Sequence, residues 1–168
     1  MLEPKLFISI LAYTIPTYIS NGCALIFGGG TPLDFNKKFF GKPIFGKGKT
    51  IRGTFAGIFF GIIAVVLMSF FMPSWFVSNY IIFGIFLVLG AVFGDIAASF
   101  FKRRLGLESG APLLFVDQLD FVIGSIVATC FIRVPTIVEI TLIICITFIM
   151  HKITNYIAYK TKLKKVAW

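Results

Sequence analysis

Residues 80–104 read YIIFGIFLVLGAVFGDIAASFFKRR, and this stretch decides the class of protein to which the chain belongs. No residue from Tyr80 to Gly94 is charged, and the run is long enough to cross a bilayer, which takes about 20 apolar residues in a helix. Asp95 lies inside this run, and three consecutive cations begin at Lys102. A carboxylate in such a helix is energetically costly, so it is expected to face a cavity or a partner and to serve a function.

The rest of the chain is equally apolar. Of its 168 residues, 58% are hydrophobic and only 14% are charged, with a mean hydropathy of +0.95, whereas soluble domains carry about 25% charged residues. We therefore predict an all-α integral membrane protein, a single domain over residues 1–168 with five transmembrane helices. The predicted helices are Lys5–Phe27, Gly53–Met72, Tyr80–Phe101, Asp117–Arg133 and Thr136–Tyr159.

The first predicted helix contains two unusual residues. Pro16 has no backbone N–H, so we expect it to kink or break the helix. Asn21 follows about one turn later and needs a polar partner inside a membrane. A broken helix that lines a cavity would supply that partner.

The positions of the cations predict the orientation, because cytoplasmic flanks are enriched in Lys and Arg. One face receives 14 of the 16 basic residues: six lie in the loop at about 28–52, three begin the loop at about 102–116, and five lie from residue 152 onward. This places both loops and the C-terminus in the cytoplasm and the N-terminus outside. The net charge of +9 then describes a cytoplasmic face that attracts anionic headgroups, and no nucleic-acid partner is expected.

Carboxylates lie on one face of each of two neighbouring predicted helices. At 100° per residue, Asp95 shares a face with Ser99, Lys102 and Arg103, while Asp117 and Asp120 share a face with Gly124. Carboxylates that converge repel one another unless a cation lies between them, and oxygen ligands of this kind suit Mg²⁺. We predict a Mg²⁺ site of Asp95, Asp117 and Asp120. The alternative is simple ion pairing of these acids with the cations from Lys102 onward.

The loop GGGTPLDFNKKFFGKPIFGKGKTIRG, residues 28–53, is rich in Gly and Lys. Flexible backbone N–H groups and lysines are typical of phosphate recognition, although such a loop could also serve topology alone. The ending GKGKT is no P-loop, because the required first glycine is replaced by Pro43. Gly53, Gly57 and Gly61 then form a small-residue stripe that predicts close helix packing and permits dimerisation.

Several of these motifs together carry a resemblance. The segment SFFKRRLGLESGAPLLFVDQLD, residues 99–120, resembles the signature of the CDP-diglyceride synthetase family of membrane cytidylyltransferases. The chain departs from the family pattern in having Gln118 where Arg is usual and in lacking a His-Gly-Gly segment. The short length, five-helix plan and the GGGTPLD and GKGKTIRG elements are closer to one branch, the archaeal CDP-archaeol synthases.

The resemblance implies a reaction in the cell membrane, with the active site facing the cytoplasm. CTP and 2,3-bis-O-geranylgeranyl-sn-glycerol 1-phosphate would give CDP-archaeol and pyrophosphate. The lipid phosphate attacks the α-phosphorus, so the protein needs to position substrates and neutralise charge rather than supply a nucleophile. Mg²⁺ held by the three aspartates, with room for a second cation, would bridge phosphate oxygens.

The resemblance also implies roles for other residues. Lys102 and Arg103 join the aspartates as catalytic residues, and the residues expected to bind nucleotide or phosphate are Gly29, Gly30, Asp34, Lys49, Thr50, Arg52 and Ser99. The alternatives are that Asp34 only shapes the loop and that Ser99 bonds the backbone of its own helix. Asn21, His151 and Asn155 are candidates for the substrate cavity; an interhelical hydrogen bond is the other interpretation for the last two. A diacyl phosphatidate substrate and an anion-transport function stay open as alternatives.

Overall fold

The computed structural model describes residues 3–109, 113 and 115–160, with residues 154–159 described for the backbone only. Helices form the protein, together with one small hairpin. The elements in chain order are α1 (Pro4–Ile26), β1 (Lys38–Phe39), β2 (Lys42–Pro43), α2 (Ile51–Ser69), α3 (Tyr80–Arg104), α4 (Val116–Thr129) and α5 (Ile137–Lys160). β1 and β2 pair antiparallel within the first long loop.

Helices occupy all five predicted ranges, but they differ in how well they suit a membrane. Within the described residues, α1, α2 and α3 are long and apolar enough to cross a bilayer. α4 has 14 residues, about 21 Å of helix at 1.5 Å per residue, against a hydrocarbon core of about 30 Å. The all-helical membrane class is confirmed, while five complete crossings stay a prediction.

The predicted break at Pro16 is wrong, because α1 continues through it from Pro4 to Ile26. A proline leaves the carbonyl four residues earlier, here that of Ala12, without its helical donor. The hydroxyl of Tyr80 on α3 donates to this carbonyl at 2.8 Å, and both residues are buried. A neighbouring helix therefore satisfies the group that the proline frees, as helices within membranes require.

The glycine stripe packs inside the chain. A Cβ on Gly53 would lie 2.6 Å from the carbonyl oxygen of Ala24, and one on Gly57 would lie 2.9 Å from that of Ser20. A Cβ on Gly61 would lie 2.8 Å from the Val88 side chain. Close packing by the stripe is confirmed, but its partners are α1 and α3. The stripe is covered within one molecule and no longer supports dimerisation.

A second close approach joins α3 to α4. A Cβ on Gly94 would overlap the carbonyl oxygen of Asp120, and one on Gly124 would overlap the carbonyl of Gly90. The two backbones therefore touch where the acidic residues begin. This contact brings Asp95, next to Gly94, into the neighbourhood of Asp120.

One end of the bundle is sealed by an ion pair among aromatic rings. Arg133 donates to Glu139 at 2.6 Å, and Glu139 also accepts from the backbone N–H of Thr136 at 2.7 Å. The guanidinium lies 4.4 Å from the ring centre of Phe76 and 5.7 Å from that of Tyr13. We call this cluster of Tyr13, Phe76, Arg133, Thr136 and Glu139 the closed end.

Candidate active site

At the other end of the bundle a cavity of about 390 Å³ opens among the helices. Its polar lining comes from all five helices and two loops. We call it the helix cavity, and its polar and charged residues include Ser20, Asn21, Lys49, Thr50, Thr54, Asp95, Ser99, Lys102, Arg103, Ser109, Asp117, Asp120 and His151. All five predicted catalytic residues are therefore brought together, although they come from segments far apart in sequence.

Asp95 pairs with a lysine from the first loop. The Nζ of Lys49 lies 2.5 Å from one carboxylate oxygen of Asp95 and 2.6 Å from the other. Neither side chain is fully buried, with relative exposures of 24% and 22%. The ion-pairing alternative predicted from the sequence was Lys102 or Arg103, so the observed partner of Asp95 differs from that prediction. Lys49 was expected at a phosphate and instead neutralises a predicted metal ligand.

Asp117 makes the equivalent contact with α3. The Nζ of Lys102 lies 2.8 Å from both oxygens of Asp117, as the ion-pairing alternative allowed. Asp117 also accepts from the backbone N–H of Leu113 at 3.0 Å. Asp120 differs, since its one hydrogen bond within the described residues comes from the backbone N–H of Phe121 at 2.7 Å. Two of the three acids hold an ammonium group, and the third holds none.

These acids have the chemistry of a divalent-cation site. Asp95, Asp117 and Asp120 present hard oxygen atoms to one cavity, and Mg²⁺ prefers such ligands. The ammonium groups of Lys49 and Lys102 are stand-in cations, because each takes up a position where positive charge is required. In the described part of the chain no three acidic, His or Cys side chains are close enough to form a ready-made metal site. The residues fit the ion in kind, and the lysines would have to move for it to bind.

Arg103 lies beside this cluster and is only 5% exposed. The ion pairs of the described residues do not include it, and its Nε has no hydrogen-bond partner among them. A buried guanidinium without an anion is costly. Among the described residues the positive charge of Arg103 therefore has no anionic partner.

The predicted phosphate-binding residues divide into two groups. Thr50 lines the helix cavity, but its hydroxyl caps α2 by accepting from Gly53 at 3.1 Å and from Gly29 at 3.2 Å. Gly29 and Gly30 adopt positive φ and, like the exposed Arg52, do not line the helix cavity. Their predicted contact with phosphate stays a prediction.

Asp34 supports the loop from within. Burial alone would raise the pKa of this carboxyl, but hydrogen bonds from the backbone N–H groups of Gly46, Phe45 and Asn36, each 2.9 Å long, hold the pKa below its ordinary value. These bonds fold residues 34–46 around one carboxylate. The geometry suits the interpretation in which Asp34 shapes the loop.

The candidates for the substrate cavity have different outcomes. Asn21, Ser99 and His151 all line the helix cavity. The side chain of Asn155 lies outside the described residues. Ser20 and Ser109 also line the cavity but were not among the predicted site residues. Glycines at 53 and 57, which draw α1 against α2 beside Ser20, were the available signal.

Comparison with known proteins places these features in a family. Residues 4–168 match the family model described as CarS-like, CDP-archaeol synthase. The chain is 42% identical to the CDP-archaeol synthase of Methanocaldococcus jannaschii, with 98% of each chain covered. It is 36% identical to that of Pyrococcus abyssi, over 93% of this chain and 95% of the relative.

A solved structure has the same fold. It is described as an intramembrane enzyme for archaeal membrane lipids biosynthesis, and it matches with a TM-score of 0.79 at 31% identity. The match covers 86% of this chain and 91% of the other. The arrangement of helices around the cavity is therefore shared with an intramembrane enzyme.

Proposed function

Since the chain belongs to the CarS-like family of CDP-archaeol synthases, and is thus a CTP-dependent nucleotidyltransferase of lipid biosynthesis, we propose its substrates and its site. CMP passes from CTP to the phosphate of 2,3-bis-O-geranylgeranyl-sn-glycerol 1-phosphate, and the products are CDP-archaeol and pyrophosphate. One observation carries this assignment to a site. Three acids, two lysines and an arginine that forms no ion pair among the described residues meet in one cavity.

The reaction makes one P–O bond and breaks one. An oxygen of the lipid phosphate attacks the α-phosphorus of CTP, and the bond to the bridging oxygen breaks as pyrophosphate leaves with the electron pair. Such a transfer needs alignment and charge stabilisation more than covalent catalysis. Arg103 offers a planar donor to a phosphate oxygen, whereas Lys49 and Lys102 offer point charges on flexible stems.

The two lysines are suited to change partners. Each holds a carboxylate before substrate arrives, and each lines the cavity that phosphates would enter. Asp95, Asp117 and Asp120 are the residues that would hold Mg²⁺, and the ion would supply charge neutralisation at the phosphate oxygens. With the acids held by the ion, Lys49 and Lys102 would be free to bind phosphate. Ammonium groups thus keep the acids from repelling one another in the resting enzyme.

The lipid substrate reaches the site from the bilayer. Leu25 lines the helix cavity and is 78% exposed, and the neighbouring Ile26 is 74% exposed. These apolar residues lie at the end of α1, where isoprenoid tails could remain in lipid while the headgroup enters.

The proposal includes five membrane crossings with the N-terminus outside and both loops cytoplasmic, supported by the cation distribution.

The substrate assignment is tested with purified protein in detergent. Pyrophosphate release is measured with CTP and Mg²⁺, using the geranylgeranyl ether phosphate in one arm and a diacyl phosphatidate in the other. We expect release that requires CTP, Mg²⁺ and lipid, and is faster with the ether lipid. Equal or faster release with the ester lipid would transfer the assignment to phosphatidate. No release with any lipid phosphate would remove the proposed reaction.

The orientation has an independent test. A reporter fused after Trp168 is expected to be active in the cytoplasm. An external signal would reverse the topology without affecting the chemistry of the site.

A further inference from the structure

A second cavity, of about 560 Å³, lies beside the helix cavity. It is formed by residues 34–47 of the first loop and 103–109 at the end of α3 and beyond, and we call it the loop cavity. Arg103 and Ser109 line both cavities. The two spaces therefore meet at these residues, with helices around one and loops around the other.

The loop cavity is lined mainly by positive charge. Lys38, Lys42, Lys47 and Arg103 line it against two acids, Asp34 and Glu108. Asp34 is held by three backbone N–H groups and is buried. Its carboxylate is therefore committed to the loop, and the balance inside the cavity favours an anion.

Among the described residues, no acidic side chain pairs with the lysines of this cavity. The ion pairs of the described residues include neither Lys38 nor Lys47, and both side chains are exposed. Lys42 donates to the backbone carbonyl of Arg104 at 3.1 Å, a neutral partner that leaves its charge uncompensated. Like charges held near one another repel, and an anion between them removes that repulsion.

Arg103 independently indicates that the loop cavity binds an anion. This residue is only 5% exposed and lies at the junction of the two cavities. Its Nε has no hydrogen-bond partner among the described residues. A buried cation without a carboxylate is stabilised by a ligand that brings negative charge. A ligand that touches Arg103 can extend into either space.

We propose that the loop cavity is the pyrophosphate site, which receives the β- and γ-phosphates of the nucleotide and then releases pyrophosphate towards the loops. This inference rests on the proposed function and specifies the place of its leaving group. In phosphoryl transfer the attacking and leaving oxygens lie roughly in line. The lipid phosphate enters among the helices, so the leaving group departs on the far side of the α-phosphorus, where the loop cavity begins at Arg103.

The assignment gives the loop lysines and the helix lysines different tasks. Lys49 and Lys102 lie by the aspartates, where the new bond forms. Lys38 and Lys47 hold the departing pyrophosphate, with contacts that do not depend on the lipid. Free pyrophosphate should therefore bind the protein in the absence of lipid and inhibit turnover by occupying this cavity.

The test measures binding of pyrophosphate itself. The purified full chain in detergent is titrated with pyrophosphate by calorimetry, without CTP or lipid. In the double variant Lys38→Ala, Lys47→Ala we expect the Kd to rise about tenfold or more, which corresponds to about 1.4 kcal/mol. Lys37→Ala is the matched control, because Lys37 is an exposed lysine of the same loop that lines neither cavity. Its Kd should be unchanged.

Two results would overturn the proposal. One is an unchanged Kd for pyrophosphate in the double variant while its thermal unfolding matches the parent. The other is an equal loss of affinity in Lys37→Ala, which would mean that the loop acts only through its overall charge. Product inhibition provides a check in the working enzyme, and the inhibition constant for pyrophosphate should rise in the double variant alone.

The outcomes distinguish a wrong assignment of the loop cavity from a wrong proposed reaction. Turnover with unaltered pyrophosphate inhibition in the double variant would leave the proposed function standing and remove the loop cavity from it. Absence of turnover with every lipid, together with pyrophosphate binding that needs Lys38 and Lys47, would remove the proposed reaction and leave an anion site.

Discussion

The two ends of the bundle use the same kinds of side chain for opposite purposes. At the closed end Glu139 is 3% exposed and receives Arg133 and Thr136, while aromatic rings cover the guanidinium. At the other end, around the helix cavity, Asp120 has no cationic partner among the described residues, and Arg103 has no anionic one. Neither cavity includes a residue of the closed end.

The difference shows that charged residues in one membrane protein can either stabilise the fold or remain available to bind a ligand. The buried carboxylate of Glu139, with both oxygens hydrogen-bonded, joins the segment after α4 to α5 and offers no open position to a ligand. In the helix cavity some charged side chains have no partner of opposite charge among the described residues, so binding a charged ligand there can lower the free energy. Completeness of pairing, rather than burial or residue type, separates the two ends.

The largest effect is expected from removing a charge at the helix cavity. Asp120→Asn or Asp117→Asn should lower the rate of CTP-dependent pyrophosphate release by roughly 100-fold or more, because charge stabilisation of the reacting phosphates is lost. Thermal unfolding of Asp120→Asn should stay close to that of the parent, because this carboxylate pairs with no cation among the described residues. Asp117→Asn should also lower the unfolding temperature, because it leaves the buried Lys102 without its carboxylate. Activity near the parent level in either variant would remove that residue from the proposed metal site.

At the closed end the same type of change should affect stability instead. Arg133→Ala leaves Glu139 buried without its cation, and breaking such a pair costs about 3–5 kcal/mol. We expect a lower unfolding temperature in detergent but unchanged turnover per folded molecule. A variant that unfolds normally yet turns over slowly would contradict the division between the two ends.

The packing between α3 and α4 should connect stability with activity. Gly94→Ala places a methyl group against the backbone of Asp120 and should destabilise by about 1–3 kcal/mol, as overpacking does. It should also reduce turnover, because Asp95 and Asp120 are forced apart. Gly22→Ala is the control, since a Cβ there meets nothing within 4 Å. Equal behaviour of the two variants would show that the close approach does not position the acids.

The smallest effect concerns the acid stability of the first loop. Because the folded pKa of Asp34 lies below its unfolded value, its contribution is present at neutral pH and is lost as pH falls through the folded pKa. Asp34→Asn should remove about 1 kcal/mol at pH 7 and flatten the decline in stability below about pH 4. Unfolding temperatures between pH 2.5 and 7 would measure this. A parallel decline in both proteins would assign the acid sensitivity elsewhere.

Much of the fold followed from elementary patterns. Apolar runs of helical length predicted all five helices, and their limits differ from the structure by a few residues, with α3 continuing from Phe101 to Arg104. Helical spacing placed Asp95 and Lys102 on one face, and both line the helix cavity. These predictions succeeded because backbone periodicity is a local property.

Partner choice was less predictable. Lys49 lies 46 residues from Asp95 in sequence, yet it is the lysine that binds this acid. Helical spacing offered Asp95 only the cations of its own helix as ion-pair partners. The actual partner comes from the first loop, which folds around Asp34. Tyr80 similarly supplies the hydrogen bond that keeps α1 continuous at Pro16. A long-range contact overrode a local rule in both cases.

By itself the sequence determined the membrane class, the helical ranges, the asymmetry of the cations and the acids available for chemistry. Folding in three dimensions selected which charges neutralise one another and which glycines bring backbones together. It also placed Arg103 where two cavities meet, without an ion pair among the described residues. The physical reason is that hydropathy and helical period act along the chain over a few residues. Electrostatic pairing and packing act through space, so their outcome depends on which distant segments the folded helices bring into contact.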